Sequence, residues 1–136
     1  MDLDEFNTGI ITEFREKDGQ VGGPYEGVPM LLLHTVGRNS GRPRVNPLVY
    51  RPHGDGFVVF ATFAGSPEDP QWYRNLMADR RATVEIGTDT IKVTARLADG
   101  DERRRLWDAQ VADHPRFADY QERAQRQIPV VVLTPL

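Results

Sequence analysis

An antiparallel β-barrel with helices at its periphery is the fold that this sequence predicts. Six segments read as strands, most of them joined by short turns, and the helical patterns do not alternate regularly with them. A parallel sheet would need a crossover helix between successive strands, which this order lacks. The chain of 136 residues, 39% hydrophobic and 27% charged, suits one domain over residues 1–136 with a single core. It contains no internal repeat and no low-complexity segment.

The first element is an amphipathic helix over about residues 3–17, where Phe6, Ile10, Ile11 and Phe14 recur at helical spacing and Glu13, Arg15, Glu16 and Lys17 gather toward the end. Its apolar stripe is expected to pack on the barrel. A lipid-facing role is the weaker reading, because the start is acidic and basic residues are few. Residues 19–29, rich in glycine and proline, form a loop that either walls a pocket or simply connects.

Leu31-Leu32-Leu33-His34-Thr35-Val36 then reads as a strand, and Pro47-Leu48-Val49-Tyr50 belongs to a second that runs to about Arg51. Between them stand Gly37, Gly41, Pro43 and three arginines, Arg38, Arg42 and Arg44. The glycines allow positive φ, so successive backbone N–H groups can face one concavity, and the guanidiniums add charge with bidentate geometry. A phosphate or carboxylate suits such a turn. A solvated hairpin is the alternative, but three arginines placed together in a chain of net charge −3 favour a ligand.

Pro52-His53-Gly54-Asp55-Gly56 is a turn, and Phe57 to Phe63 is a nearly continuous apolar run, the mark of a strand covered on both faces. A short helix over residues 70–78 follows, with Asp69 as its cap and Pro70 as its first residue. Trp72 and Leu76 share one side of it, and Asn75 lies on a neighbouring face. Residues 82–86 and 90–97 are two further strands joined by Gly87-Thr88-Asp89. In the second, Ile91, Val93 and Ala95 alternate with Lys92, Thr94 and Arg96. A charged helix over 99–111 is anchored by Leu106 and Trp107. Another spans 117–127, and residues 128–134 form the closing strand.

Composition narrows the function. With no cysteine, there is no disulfide, thiolate chemistry or cysteine metal site. No apolar run approaches the roughly 20 residues of a membrane span. Met1-Asp2-Leu3-Asp4-Glu5 is the reverse of a signal peptide, so a cytoplasmic protein is expected. A pI near 5.6 without a long basic tract argues against nucleic acid as partner. Phosphate-binding P-loop, dinucleotide-binding, zinc-peptidase and nucleophile-elbow patterns are all missing. His34, His53 and His114 lie in contexts too scattered to suggest a metal trio, and no metal is expected. With no evident nucleophile or acid–base pair, an enzymatic role requires a bound cofactor.

The run Gly37-Arg38-Asn39-Ser40-Gly41-Arg42-Pro43-Arg44, then Asn46-Pro47-Leu48 and Pro70-Gln71-Trp72-Tyr73-Arg74-Asn75-Leu76, resembles the deazaflavin-dependent nitroreductase family of actinobacteria. The resemblance extends along nearly the whole chain. It implies a small split β-barrel, FMN-binding-like in architecture, with about six antiparallel strands and three to four helices. It also implies hydride transfer from reduced coenzyme F(420), an 8-hydroxy-5-deazaflavin, to a conjugated small-molecule acceptor such as a quinone or nitroaromatic.

By resemblance, Arg38, Asn39, Ser40 and Arg44 hold the phosphate and oligoglutamate tail, helped by backbone amides of the turn at Gly41. Pro47, Leu48 and Val49 lie along the ring, Ala61, Thr62 and Phe63 border it from the adjacent strand, and Trp72 and Asn75 close the site. Val49, Phe117 and Tyr120 form the substrate pocket, with Tyr120 as proton donor or substrate contact. Asn39 stands where many relatives carry lysine, and Phe63 where a polar residue is common, which removes two tail contacts. Val49, His114 and Phe117 replace tyrosines of the nitroimidazole-reducing relatives, so a quinone-like acceptor is favoured over a nitroimidazole. Two other readings remain open at this point: a module that binds or stores the deazaflavin without turnover, and a split barrel that carries flavin mononucleotide (FMN). Monomer and homodimer are both compatible with the sequence.

Overall fold

The computed structural model describes residues 3–136; Met1 and Asp2 lie outside the described residues, as do the side chains of residues 3–6, Phe6 among them, and of Pro24. Helix α1 (Leu3–Glu16) leads by way of a short turn at Gly23–Tyr25 into β1 (Met30–Val36), β2 (Pro43–His53) and β3 (Gly56–Phe60). After a second short turn at Phe63–Gly65 come α2 (Gln71–Ala78), β4 (Arg81–Ile86), β5 (Asp89–Leu97), α3 (Gly100–Asp113), α4 (Arg116–Ala124) and β6 (Val130–Pro135). The six strands close an antiparallel barrel in the order β1-β2-β3-β6-β5-β4.

Strand side chains alternate between faces, so a continuous apolar run needs cover on both. Leu31 and Leu33 of β1, Val59 of β3, and Val131 and Leu133 of β6 point into the barrel, where Trp72 and Leu76 of α2 join them. The intervening residues face outward but are equally buried. Met30 and Leu32 lie under Ile10 and Phe14 of α1. Val58, Phe60, Val130 and Val132 lie with Phe117 of α4, and Leu106 and Trp107 of α3 pack against them. Helix α1 thus places its apolar stripe on the barrel, as its spacing predicts. No helix among the described residues is long and apolar enough to cross a membrane.

Several boundaries differ from expectation, each for a local reason. Strand β2 continues to His53, and the hairpin turns at Gly54-Asp55. Strand β3 stops at Phe60, three residues early, because Phe63 (φ 46°) and Ala64 (φ 52°) adopt the left-handed conformation that no strand accommodates. Pro70 precedes α2 in extended conformation, and Asp69 does not cap the helix; its carboxylate instead accepts from Arg126 Nη1 at 2.8 Å. Helix α4 spans Arg116 to Ala124 and ends on left-handed Gln125, and β6 starts at Val130.

Strand β2 pairs with β1 over Pro43–Val49 but with β3 only over Tyr50–His53. Its segment Asn46–Val49 therefore has no strand on its second edge, and there the barrel wall is split.

Helix α1 is fixed beside this split by a charged triad. Arg15 donates to both oxygens of Glu85, through Nη2 at 2.8 Å and Nε at 3.3 Å, and His34 Nε2 lies 2.5 Å from Glu85 Oε2. The Arg15 guanidinium, opposed by partial burial and aided by His34, holds the Glu85 carboxyl below its ordinary range. A depressed carboxyl stabilises the fold above its unfolded value, and that contribution is lost as pH falls through the folded value. Thermal melts of wild type should therefore fall more steeply below about pH 4.5 than those of Glu85→Gln. Parallel curves for the two proteins would refute this role.

Candidate functional site

The split opens onto a groove of about 710 Å³. Its floor is Asn46, Pro47 and Leu48 of β2; the Gly37–Ser40 turn and Arg44 stand at one end, and Thr62-Phe63-Ala64 and Pro70-Gln71-Trp72 form the far wall. A smaller chamber of about 200 Å³ continues from it, lined by Ile10, Val28, Met30, Val49, His114, Arg116, Phe117 and Tyr120. Asn7, Tyr25, Pro47, Leu48, Phe60, Thr62 and Ala64 line both spaces.

The basic turn is tightly built. The N–H of Gly37 donates to the Arg42 carbonyl and that of Gly41 to the Gly37 carbonyl, both at 2.8 Å. Ser40 Oγ accepts from the Arg42 N–H at 3.2 Å. A Cβ at position 37 would sit 2.5 Å from that hydroxyl, and Gly41 has φ 68°, so each glycine answers a separate steric demand. Helix α2 clamps the turn from the side: buried Asn75 accepts through Oδ1 from the backbone N–H of Arg38 at 3.1 Å and from its Nη1 at 2.9 Å.

Among the described residues, Arg15, Arg51, Arg81, Arg96, Arg104 and Arg126 meet carboxylates, whereas Arg38 and Arg44, which line the groove, and Arg42 beside them are among those that meet none. Positive charge thus stands uncompensated at one end of the groove, and its field is focused by the walls. The opposite end is aromatic on one wall, through Phe60, Phe117 and Tyr120, with His114 and Arg116 beside them. Phe117 packs with its ring centroid 5.7 Å from Phe60 and 5.3 Å from Tyr120, forming a stiff wall for the smaller chamber. This donor set fits an extended ligand with an anionic end and a flat apolar end, and the volume lies within the usual range of cofactor sites.

Of the residues selected from sequence, the fold gathers Arg38, Asn39, Ser40, Arg44, Pro47, Leu48, Thr62, Phe63, Trp72 and Asn75 around the groove. Thr62 and Phe63 reach it from the turn after β3, not from the strand itself. Trp72 is at once a wall of the groove and part of the barrel core. Val49 lines the smaller chamber with Phe117 and Tyr120. Gly41 is an exposed corner of the turn, and Ala61 is fully buried inside the barrel, so neither side chain position forms the wall. His34 and His53 pair with Glu85 and Glu102, and only His114 reaches the chamber.

The structure adds Asn7, Tyr25, Phe60, Ala64 and Gln71 to the walls. Tyr25 lies in the loop that the sequence suggests as a wall, but nothing in its local pattern distinguishes it. Glu13 fixes this loop by accepting from the Gly22 N–H at 2.9 Å, a contact between residues too far apart for any local motif.

The F420H(2)-dependent quinone reductase family model matches residues 10–135. An F420H(2)-dependent quinone reductase of Mycobacterium tuberculosis is 36% identical over 125 residues, covering 89% of this chain and 84% of the relative. Among solved structures, an F420-H2 dependent reductase, FDR-A, superposes with TM-score 0.70 at 33% identity over 77% of this chain and 93% of its own. A domain-swapped dimer superposes with TM-score 0.72 at 29% identity over 97% and 99%. FMN and the storage role are thereby set aside: the chain belongs to the F420H(2)-dependent quinone reductase family, an oxidoreductase with coenzyme F(420) as its cofactor.

Proposed function

We propose that the protein reduces a quinone-class acceptor in the smaller chamber while the groove holds the cofactor, the anionic end at the basic turn and the ring toward the split in β2. When bound, reduced coenzyme F(420) supplies the hydride. The rest is the work of this chain. Arg38 and Arg44, with Ser40 and Asn39, offer charge-assisted and neutral donors to the phosphate and the tail. Pro47, Leu48 and Trp72 present flat apolar surface, and the unpaired edge of β2 leaves backbone groups free for the polar rim of the ring. Val49, Phe117 and Tyr120 enclose the acceptor and keep water from the reacting atoms. Tyr120, whose hydroxyl can donate a proton to the reduced acceptor, is the donor assigned here, with His114 also on the chamber lining.

The observation that carries this reading is the arrangement itself, a groove with Arg38 and Arg44 at one end adjoining a chamber walled by Phe60, Phe117 and Tyr120. Titrating oxidised coenzyme F(420) with the protein and following the coenzyme's fluorescence tests it. Saturable binding is expected, weakened about tenfold or more in Arg44→Ala and not displaced by flavin mononucleotide. Reduction of a naphthoquinone should exceed that of a nitroimidazole. Absence of binding at micromolar protein would overturn the assignment of the groove.

A further inference from the structure

We propose that Arg126 is a positioning residue that fixes the partition between the two chambers. It stands just beyond left-handed Gln125 at the end of α4 and touches neither chamber. Its side chain is only 15% exposed, and every nitrogen of the guanidinium is engaged. Nε donates to the Ser66 carbonyl at 3.1 Å, Nη1 to Asp69 Oδ1 at 2.8 Å, and Nη2 to the carbonyls of Ala61 at 3.1 Å and Thr62 at 3.2 Å. One side chain thus gathers both ends of the segment from Ala61 to Asp69.

That segment contains the partition. Thr62 and Ala64 line both chambers and Phe63 the larger. Phe63 and Ala64 hold left-handed backbone that non-glycine residues avoid, and such a conformation persists only where surrounding contacts impose it. Two contacts do so here. Gly65 lies so close to α4 that a Cβ on it would be 3.2 Å from Tyr120 Cα and from the Tyr120 carbonyl oxygen. Arg126 then ties the same turn to the end of that helix. The wall next to the cofactor and the helix bearing Phe117 and Tyr120 are thereby held in one register. Lysine cannot substitute, because an ammonium lacks the planar fork that spans acceptors on both ends of the segment.

The inference rests on the reading of the smaller chamber as the acceptor site, so its test has two arms. In the first, hydrogen–deuterium exchange is measured on ligand-free protein. The Gly65 and Ser66 amides, which donate to the Thr62 and Phe63 carbonyls, should exchange at least about tenfold faster in Arg126→Ala and Arg126→Lys, while amides of β1 and β6 keep their protection. In the second, quinone kcat/KM should fall about tenfold or more in both variants. The dissociation constant for oxidised coenzyme F(420) should rise by a smaller factor than kcat/KM falls, because the basic turn that holds the anionic end makes no contact with Arg126. Guanidinium ion at millimolar concentration should restore part of the rate in Arg126→Ala, whereas methylammonium should not.

Unchanged exchange at Gly65 and Ser66 would overturn the anchoring role whatever the enzyme reduces. Faster exchange with unaltered kcat/KM would overturn positioning. A wild type that binds no coenzyme would refute the functional reading alone, since the exchange arm still decides whether Arg126 holds the segment.

Discussion

Asn75→Asp is expected to weaken the binding of oxidised coenzyme F(420) by about a hundredfold with little change in melting temperature, whereas Asn75→Leu should weaken binding by about tenfold and lower the melting temperature too. The two substitutions separate the roles that Asn75 combines. Its Oδ1 accepts from the backbone N–H and from Nη1 of Arg38, and aspartate keeps that acceptor in place. The clamp on the basic turn therefore survives, and the cost of burying a carboxylate is offset by the guanidinium beside it. What changes is the field. A carboxylate at that distance cancels most of the charge that Arg38 presents to the groove, and opposite charges a few ångströms apart in partly buried surroundings are worth several kcal/mol before screening. Leucine has the opposite defect: it leaves the charge but removes the acceptor, orphaning a backbone N–H and freeing the guanidinium to wander. Fluorescence titration and thermal melts on the same preparations give both quantities. An aspartate variant that binds like wild type would mean that the charge of Arg38 does not face the anionic part of the ligand.

Legibility in the sequence follows how local the cause of each feature is. Strands covered on both faces announce themselves through unbroken apolar runs, as in Leu31-Leu32-Leu33 and Val58-Val59-Phe60, because each face is buried by a different layer. The basic turn is equally legible, since its glycines, its serine and its arginines act on one another within a few residues. The end of β3 is not. Phe57 to Phe63 has the composition of a strand throughout, and what stops it at Phe60 is a turn enforced by Arg126, more than sixty residues away. Asp69 is misread for the same reason: an aspartate before a helix is a sound cap by local rules, but a partly buried arginine from the far end of the chain claims it. Tyr25 and Asn7 join the wall only through the way α1 and its loop lie against the barrel, a packing outcome that carries no signature in spacing. The groove residues on the basic turn and on β2, and Thr62 and Phe63 on the partition, could thus be read in advance, whereas Ala64, Tyr25 and Asn7 required the fold.

The barrel itself depends on one position that looks unremarkable in sequence, and Gly56→Ala is expected to destabilise the protein by about 3 kcal/mol or more. Gly56 opens β3 opposite His53. A Cβ built there lies 2.2 Å from the Leu133 carbonyl oxygen, 3.2 Å from the Leu133 carbonyl carbon and 3.3 Å from Thr134 Cα. All three atoms are backbone of β6, so no side chain can rotate away. Relief requires β6 to move from β3, yet Leu133 pairs with Phe57 on one side and with Ala95 of β5 on the other, and its own side chain is fully buried in the barrel. The clash is therefore opposed by the ladders on both sides of β6, and the energy is lost from closure of the barrel. Gly54→Ala supplies the comparison. Gly54 has φ 58° but nothing within 4 Å of its Cβ position, so alanine there costs only about 1 kcal/mol of backbone strain. Urea unfolding of both variants separates contact from conformation, and a Gly56→Ala protein as stable as Gly54→Ala would show that β6 can yield. The loss should also reach the site, because β3 runs directly into Phe60 and Thr62 on the wall shared by the two chambers. Quinone reduction should therefore decline in Gly56→Ala even at temperatures where the variant remains folded, while Gly54→Ala, at the far end of the hairpin, retains the wild-type rate.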